Sequence, residues 1–164
     1  MSDTADLYQG SLAPEQAVER LMKSVSRIVD AEVIDSAAAA GRLLSKDALA
    51  SSNLPATNNA AVDGYAVDAG FLEGNPAHEF RIIGKAAAGH PFSGTIGAGE
   101  AVRIFTGAVM PQGADAVAMQ EFCDADEMKG TVRIARRLAP GSNNRPAGEN
   151  LRAGETIARS GCRL

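Results

Sequence analysis

Apolar positions in the first part of the chain follow a helical period. Val18, Leu21, Met22, Val25 and Val29 recur at helical spacing after Pro14, and proline suits a first helical turn because its missing N–H has no partner to lose there. The spacing predicts one amphipathic helix over 14–29. Its stripe is assigned to the core in preference to a partner face. A second short helix is expected to start at Asp35 or Ser36, run through the alanines at 37–40 and stop at Gly41.

From Leu54 the texture changes. Glycine and proline recur every few residues, and the runs between them are short and rich in Val and Ile, which is a β pattern. Strands are expected near 64–67, 80–87, 101–105, 116–120, 131–135 and 156–158. Gly94, Gly97, Gly99, Pro111 with Gly113, Gly130, and Pro140 with Gly141 supply the turns between them. Texture shifts at 51–55 and at 140–141 divide the chain into an outer module, 1–54 plus 141–164, and a barrel-like insertion, 55–140. The expected fold class is mainly β with one or two N-terminal helices.

Composition sharpens this picture. The 164 residues are 45% hydrophobic but only 4% aromatic, with no Trp. A core built from Ala, Val, Ile and Leu favours thin layers and two small modules over one thick one. A net charge of -4 and no basic block argue against a nucleic-acid binder; adjacent Arg136 and Arg137 read as a solvated edge. The polar N-terminus lacks a signal-peptide pattern and no run is apolar enough to span a bilayer, so a cytoplasmic location away from membranes is expected. Cys123 and Cys162 form no CxxC or zinc spacing and read as reduced structural thiols.

Three loops carry candidate chemistry. In NNAAVDGYAV, Asp63 precedes Gly64; on spacing alone it is a turn carboxylate capping a backbone N–H, and the functional alternative is a carboxylate beside a metal and phosphate. In IFTGAVMP, Thr106 and Gly107 end a strand where a hydroxyl and close-approaching N–H groups can receive an anion, although a plain strand end fits equally. In GSNNRPAGENLRAGE, Arg145 stands four residues before Glu149, a pairing suited to an oxyanion and a metal or water, or merely a surface ion pair. Glu121, at the end of a strand, belongs to the same open class. His78 and His90 lack a neighbouring Ser or Cys motif and are expected at the surface.

Taken together, LPATNNAAVDGYAV resembles the pattern LPxFDNSAMDGYAV, GEAVRIFTGAVMPQGADAVAMQE resembles a second block almost residue for residue, and PGSNNRPAGENLRAGETIARSGCRL resembles PGxNIRxxGEDIxxGxxLLxxGxxL. In this order and spacing, the blocks resemble the N-terminal region of the molybdopterin molybdenumtransferases, the MoeA and gephyrin-E family. The resemblance implies an elongated dimerisation module with an inserted β-barrel-like module. It also implies a following pterin-binding α/β domain and a C-terminal β domain, with this chain stopping near where the α/β domain should begin.

The reaction so implied inserts molybdate into adenylylated molybdopterin, releasing AMP and finished cofactor with magnesium assisting. By the same resemblance, the chain works as a homodimer, and a molybdopterin adenylyltransferase is a possible further partner. Asp63, Thr106, Glu149 and Asn150 are its implied catalytic residues; Thr106, Gly107 and Arg145 bind substrate; Asp63 and Glu121 hold metal. The chain departs from the pattern at Asn58, where the family has Asp, and at Asn150, where an active-site acid is expected. An amide is no base and brings no charge to magnesium, so the implied alternative is a non-catalytic scaffold or a molybdate- or cofactor-binding module.

Overall fold

The computed structural model describes residues 12–26, 30–75 and 78–164. Its centre is a six-stranded sheet curled into a half barrel. In chain order the strands of that sheet are β3 (Gly64–Val67), β4 (Glu79–Ala86), β5 (Glu100–Ile104), β6 (Ala116–Met119), β7 (Cys123–Asp126) and β8 (Thr131–Ile134). Across the sheet they run β6-β3-β5-β4-β8-β7, and β4 with β5 is the parallel pair. Two smaller pairs flank it: β1 (Ala48–Leu49) with β10 (Thr156–Ala158), and β2 (Asn59–Ala60) with β9 (Asn144–Arg145), both antiparallel.

The alternation of side chains along a strand explains why the sheet is buried on both faces. Ala66, Val102, Ile104 and Val117 pack on one side with Ala60, Ala86, Ile96 and Ala108. Tyr65, Val67, Ala101 and Ala118 pack on the other with Leu72, Phe80, Val132 and Ile134. A two-faced burial requires apolar residues at successive positions, which is why GYAV and the AV–I run read as nearly continuous apolar segments. All four residues of β3 are buried.

β3 has neighbours on both sides, Gly64 opposing Ile104 of β5 and Met119 of β6. A Cβ on Gly64 would stand 1.8 Å from the Ala118 carbonyl oxygen, so only glycine lets β6 approach this closely.

The expected strands at 64–67 and 156–158 coincide with β3 and β10, and the other four expected strands are present with their ends displaced by one residue. Pattern reading missed β1, β2 and β9, which are two residues long and have no period to detect. It also missed β7, whose sequence CDAD is polar because it is an edge strand. Likewise missed was helix α2 (Ala69–Gly74), six residues held by its caps: the Asp68 carboxylate accepts from the Phe71 N–H and the Asp115 carboxylate from the Ala69 N–H.

Two helical expectations need correction. The first helix, α1 (Pro14–Ser24), ends before Val25, which is extended; 27–29 lie outside the described residues. Its stripe is not core in this chain, since Val18, Leu21, Met22 and Val25 are 58–72% exposed. The second helix is only a 3-10 turn over Ser36–Ala38, with Asp35 accepting from the Ala37 N–H. Its predicted stop does occur, as Gly41 takes φ 80°. His78 also departs from expectation: it is half-buried, its ring edge-on to Phe71 and Phe80 with centroids 5.0 and 5.1 Å away.

Phe80, 1% exposed, is the largest fully buried side chain. Phe80→Ala should cost about 3–5 kcal/mol, and Gly64→Ala about 1–3 kcal/mol or more from overpacking, both read from urea-denaturation midpoints at constant slope. Equal midpoints for Gly64→Ala and the parent chain would show that β6 can draw back.

Candidate functional site

Asp63 precedes β3, and the antiparallel β3–β5 register sets it beside the residues that follow Ile104. One oxygen of its carboxylate, Oδ1, accepts hydrogen bonds from the Thr106 N–H at 2.8 Å and the Thr106 hydroxyl at 2.7 Å. The hydroxyl, then the N–H, hold the carboxyl below its ordinary value of 3.8, with the nearby Arg103 charge adding and slight burial opposing. Asp63 is therefore ionised at neutral pH, with its second oxygen left for another partner.

The loop after Thr106 is tied down from the other side. Gly107, at φ 81°, donates its N–H to the Ala60 carbonyl at 2.8 Å, and the Ala60 N–H donates to the Ala108 carbonyl at 2.9 Å. Asn59 Nδ2 donates to the Gly107 carbonyl at 3.0 Å, and the Thr57 hydroxyl donates to Asn59 Oδ1 at 2.7 Å. The Thr106 and Gly107 amides, read from sequence as an anion cradle, are thus both spent on protein oxygens. What they build is a rigid mount for Asp63.

Asn59 also pairs with Arg145 through β2 and β9. That pairing carries the third candidate loop to the edge of the Thr106–Gly107 mount. Arg145 Nε donates to Glu149 Oε2 at 2.7 Å and its Nη2 to Asn150 Oδ1 at 2.9 Å. Both charged side chains are more than 40% exposed, so the pair adds little to stability; its effect is to fix the guanidinium. The loop itself is anchored by the Gly148 and Asn150 N–H groups, which donate to the Pro55 and Leu54 carbonyls, and by the Ala147 N–H, which donates to Asn58 Oδ1 at 2.8 Å. Asn58 thus provides through its amide oxygen the acceptor that an aspartate would provide. Glu149 and Asn150 border an open depression of about 620 Å³.

The structure therefore gathers Asp63 with Thr106, and Arg145 with Glu149 and Asn150, and links the two groups through Gly107 and Asn59. Glu121 stands apart: it is exposed, in the turn Gln120–Phe122, with no ion pair or side-chain hydrogen bond among the described residues. The preceding Gln120 does touch the site, donating its N–H to the Asp63 carbonyl at 3.1 Å. Among the described residues no three His, Cys, Asp or Glu side chains converge as a metal cage.

Sequence reasoning missed Arg103. Its guanidinium donates to the Gly64 carbonyl at 2.8 Å and to Gln120 Oε1 at 2.6 Å, reaching across β3 next to Asp63. The available signal was a charge at the third position of AVRIF, inside a run otherwise apolar. Cys123 is half-buried and its thiol is pushed up to about 11 by that burial, whereas Cys162 is exposed; both are free.

Two measurements follow from this geometry. In Thr106→Val, the Asp63 pKa should rise toward 3.8 in a carboxyl NMR titration; its depressed folded value means that its stabilising contribution is present above the unfolded value of 3.8 and is lost as pH falls through the folded one. An unmoved pKa would mean the Thr106 hydroxyl is not the cause. In the folded chain, iodoacetamide should label Cys162 first, while Cys123 stays protected until denaturant is added.

The sequence and the architecture have relatives. A family model described as the MoeA N-terminal region (domain I and II) matches residues 12–164. The chain is 33% identical over 153 residues to a molybdopterin molybdenumtransferase of Haemophilus influenzae, covering 93% of this chain and 37% of that protein. It is 35% identical over 129 residues to one of Bacillus subtilis, covering 75% and 30%. The crystal structure of a molybdopterin biosynthesis MoeA protein from Pyrococcus horikoshii superposes with a TM-score of 0.82 at 31% identity, covering 92% of this chain and 40% of that one. The chain thus spans well under half the length of these relatives. With a half-barrel fold, a family model matched from residue 12 to the last residue and a solved neighbour of the same build, this chain belongs to the MoeA N-terminal family.

Proposed function

We propose that this chain is the N-terminal part of an enzyme of molybdenum cofactor biosynthesis that inserts molybdate into adenylylated molybdopterin and releases AMP. Family membership and the names of the relatives support the pathway. The observation that carries the chemistry is the Asp63–Thr106 pair, an ionised carboxylate with one oxygen saturated and the other free, joined by Asn59 to the Arg145 loop.

The reaction gathers negative charge on phosphate and molybdate oxygens. Arg145, fixed by Glu149 and Asn150, offsets that charge without reorganising. Asp63 suits magnesium, a hard cation that takes one or two carboxylates and completes its shell with water and phosphate. Asp63, with Glu121 as a second candidate, would hold the ion, which supplies charge neutralisation at the phosphates. Thr106 acts on Asp63, keeping it oriented.

A homodimer is part of the same proposal. Val18, Leu21, Met22 and Val25 form an apolar stripe at least 58% exposed, and a helix with such a stripe needs a covering surface. Leu21→Lys should shift the chain toward monomer in sedimentation velocity, and an unchanged distribution would remove α1 from the interface.

One feature favours a non-catalytic scaffold as the second possibility. Asn150 holds its Oδ1 against Arg145 where the family pattern has an acid. The deciding assay is molybdate-dependent AMP release with magnesium, using the longest natural product of the gene beside this chain. Turnover by the longer form is expected, with Asp63→Asn reducing it at least about a hundredfold. Asn150→Asp in the longer form should raise turnover by roughly tenfold, equivalent to about 1.4 kcal/mol. No turnover in either form, with the fold intact, would favour the scaffold.

A further inference from the structure

Next to Asp63 the sheet carries two cations, Lys85 and Arg103, that form no ion pair among the described residues, although the whole chain is acidic at -4. Lys85 of β4 and Arg103 of β5 are partners in the parallel register. Both reach the ring of Phe105, with Lys85 Nζ 4.8 Å and Arg103 Cζ 4.6 Å from its centroid. Arg103 also lies 5.1 Å from the Tyr65 ring centroid. The two cations therefore share one face of the sheet, and Phe105 precedes Thr106 directly in the chain.

The two differ in freedom. Arg103 is half-buried and spends its donors on two neutral oxygens, the Gly64 carbonyl and Gln120 Oε1. Its position is fixed while its charge stays unpaired. Lys85 is exposed, and among the described residues neither it nor Arg103 forms an ion pair. The aromatic ring holds both heads by cation–π attraction, without cancelling their charge as a carboxylate would. Beside Thr106, a Cβ on Gly107 would find within 4 Å only Ala88 Cβ, at 3.8 Å. Two cations without an ion pair among the described residues, held on one aromatic support, form a place for a dianionic or more highly charged phosphate group.

We propose that Lys85 and Arg103, bracketing Phe105 beside Asp63, form a subsite for a pyrophosphate group. The proposal rests on the function proposed above, in which the scissile link of the adenylylated substrate is a pyrophosphate. Lys85 supplies the mobile donors and Arg103 the fixed charge, and Asp63 is the neighbouring carboxylate that would hold magnesium.

The test is titration of the chain with inorganic pyrophosphate and magnesium, followed by amide NMR, with sodium sulfate at matched ionic strength as control. Saturable shifts at Lys85, Phe105 and Thr106 are expected. Lys85→Gln should weaken binding about tenfold and Lys85→Arg should keep most of it, the fold of each variant being checked by its spectrum. Shifts centred elsewhere, equal shifts with sulfate, or unchanged affinity in a folded Lys85→Gln would overturn the subsite. In the longest natural product, Lys85→Gln should raise KM for adenylylated molybdopterin more than it lowers kcat. Turnover with an unchanged KM in Lys85→Gln would remove the subsite and leave the enzyme, whereas pyrophosphate binding as expected without any turnover in the parent would keep the subsite and remove the enzyme.

Discussion

The close approach of β6 to β3 at Gly64 governs the rest of the structure. A strand buried on both faces and paired on both sides has no freedom left in register or direction, and β3 is such a strand. Its first residue touches the Ala118 carbonyl so closely that any side chain would displace β6. Everything attached to the start of β3 inherits that rigidity. Asp63 is the first side chain to emerge, and its carboxylate, the Thr106 loop and the Arg103 guanidinium are fixed relative to one another because the sheet beneath them cannot slide.

From this anchor the polar groups form an ordered succession. Asp63 is saturated on one oxygen by Thr106, Gly107 is tied to Ala60, Asn59 is tied to Gly107, and Arg145 is paired across β2–β9 with Asn59. Most of these bonds involve backbone groups or short polar side chains, which lose little entropy on being ordered. Long charged side chains appear only at the ends of the succession, as Arg145 with Glu149 on one side and Arg103 with Lys85 on the other. A site arranged this way is stiff in the middle, with an Arg–Glu pair at one end and two cations at the other.

The structure also separates what stabilises the chain from what is left unused. The two apolar clusters on either face of the half barrel are filled by Ala, Val and Ile with Leu72, Tyr65 and a single buried Phe, the thin-layer packing that a low aromatic content allows. By contrast, the apolar stripe of α1 contributes nothing to either cluster. Among the described residues, this amphipathic helix buries none of its side chains.

How much of this was legible beforehand depended on whether the signal was local. Composition and the short apolar runs determined β3, β4, β5, β6, β8 and β10, the β class and the stop at Gly41, because a two-faced sheet requires consecutive apolar residues and glycine turns wherever it occurs. The motif blocks identified Asp63, Thr106, Arg145, Glu149 and Asn150 as worth attention, but on spacing alone each was equally well a turn or surface residue. Tertiary structure decided what each of them touches: that both Thr106 donors serve Asp63, that Asn150 faces Arg145, and that Asn59 joins the two loops across 48 residues of sequence. It alone decided that the α1 stripe faces outward and that Arg103 belongs at the site. Burial and pairing are properties of approach between distant segments, and hydrophobic periodicity records only that a face will be covered, not by what.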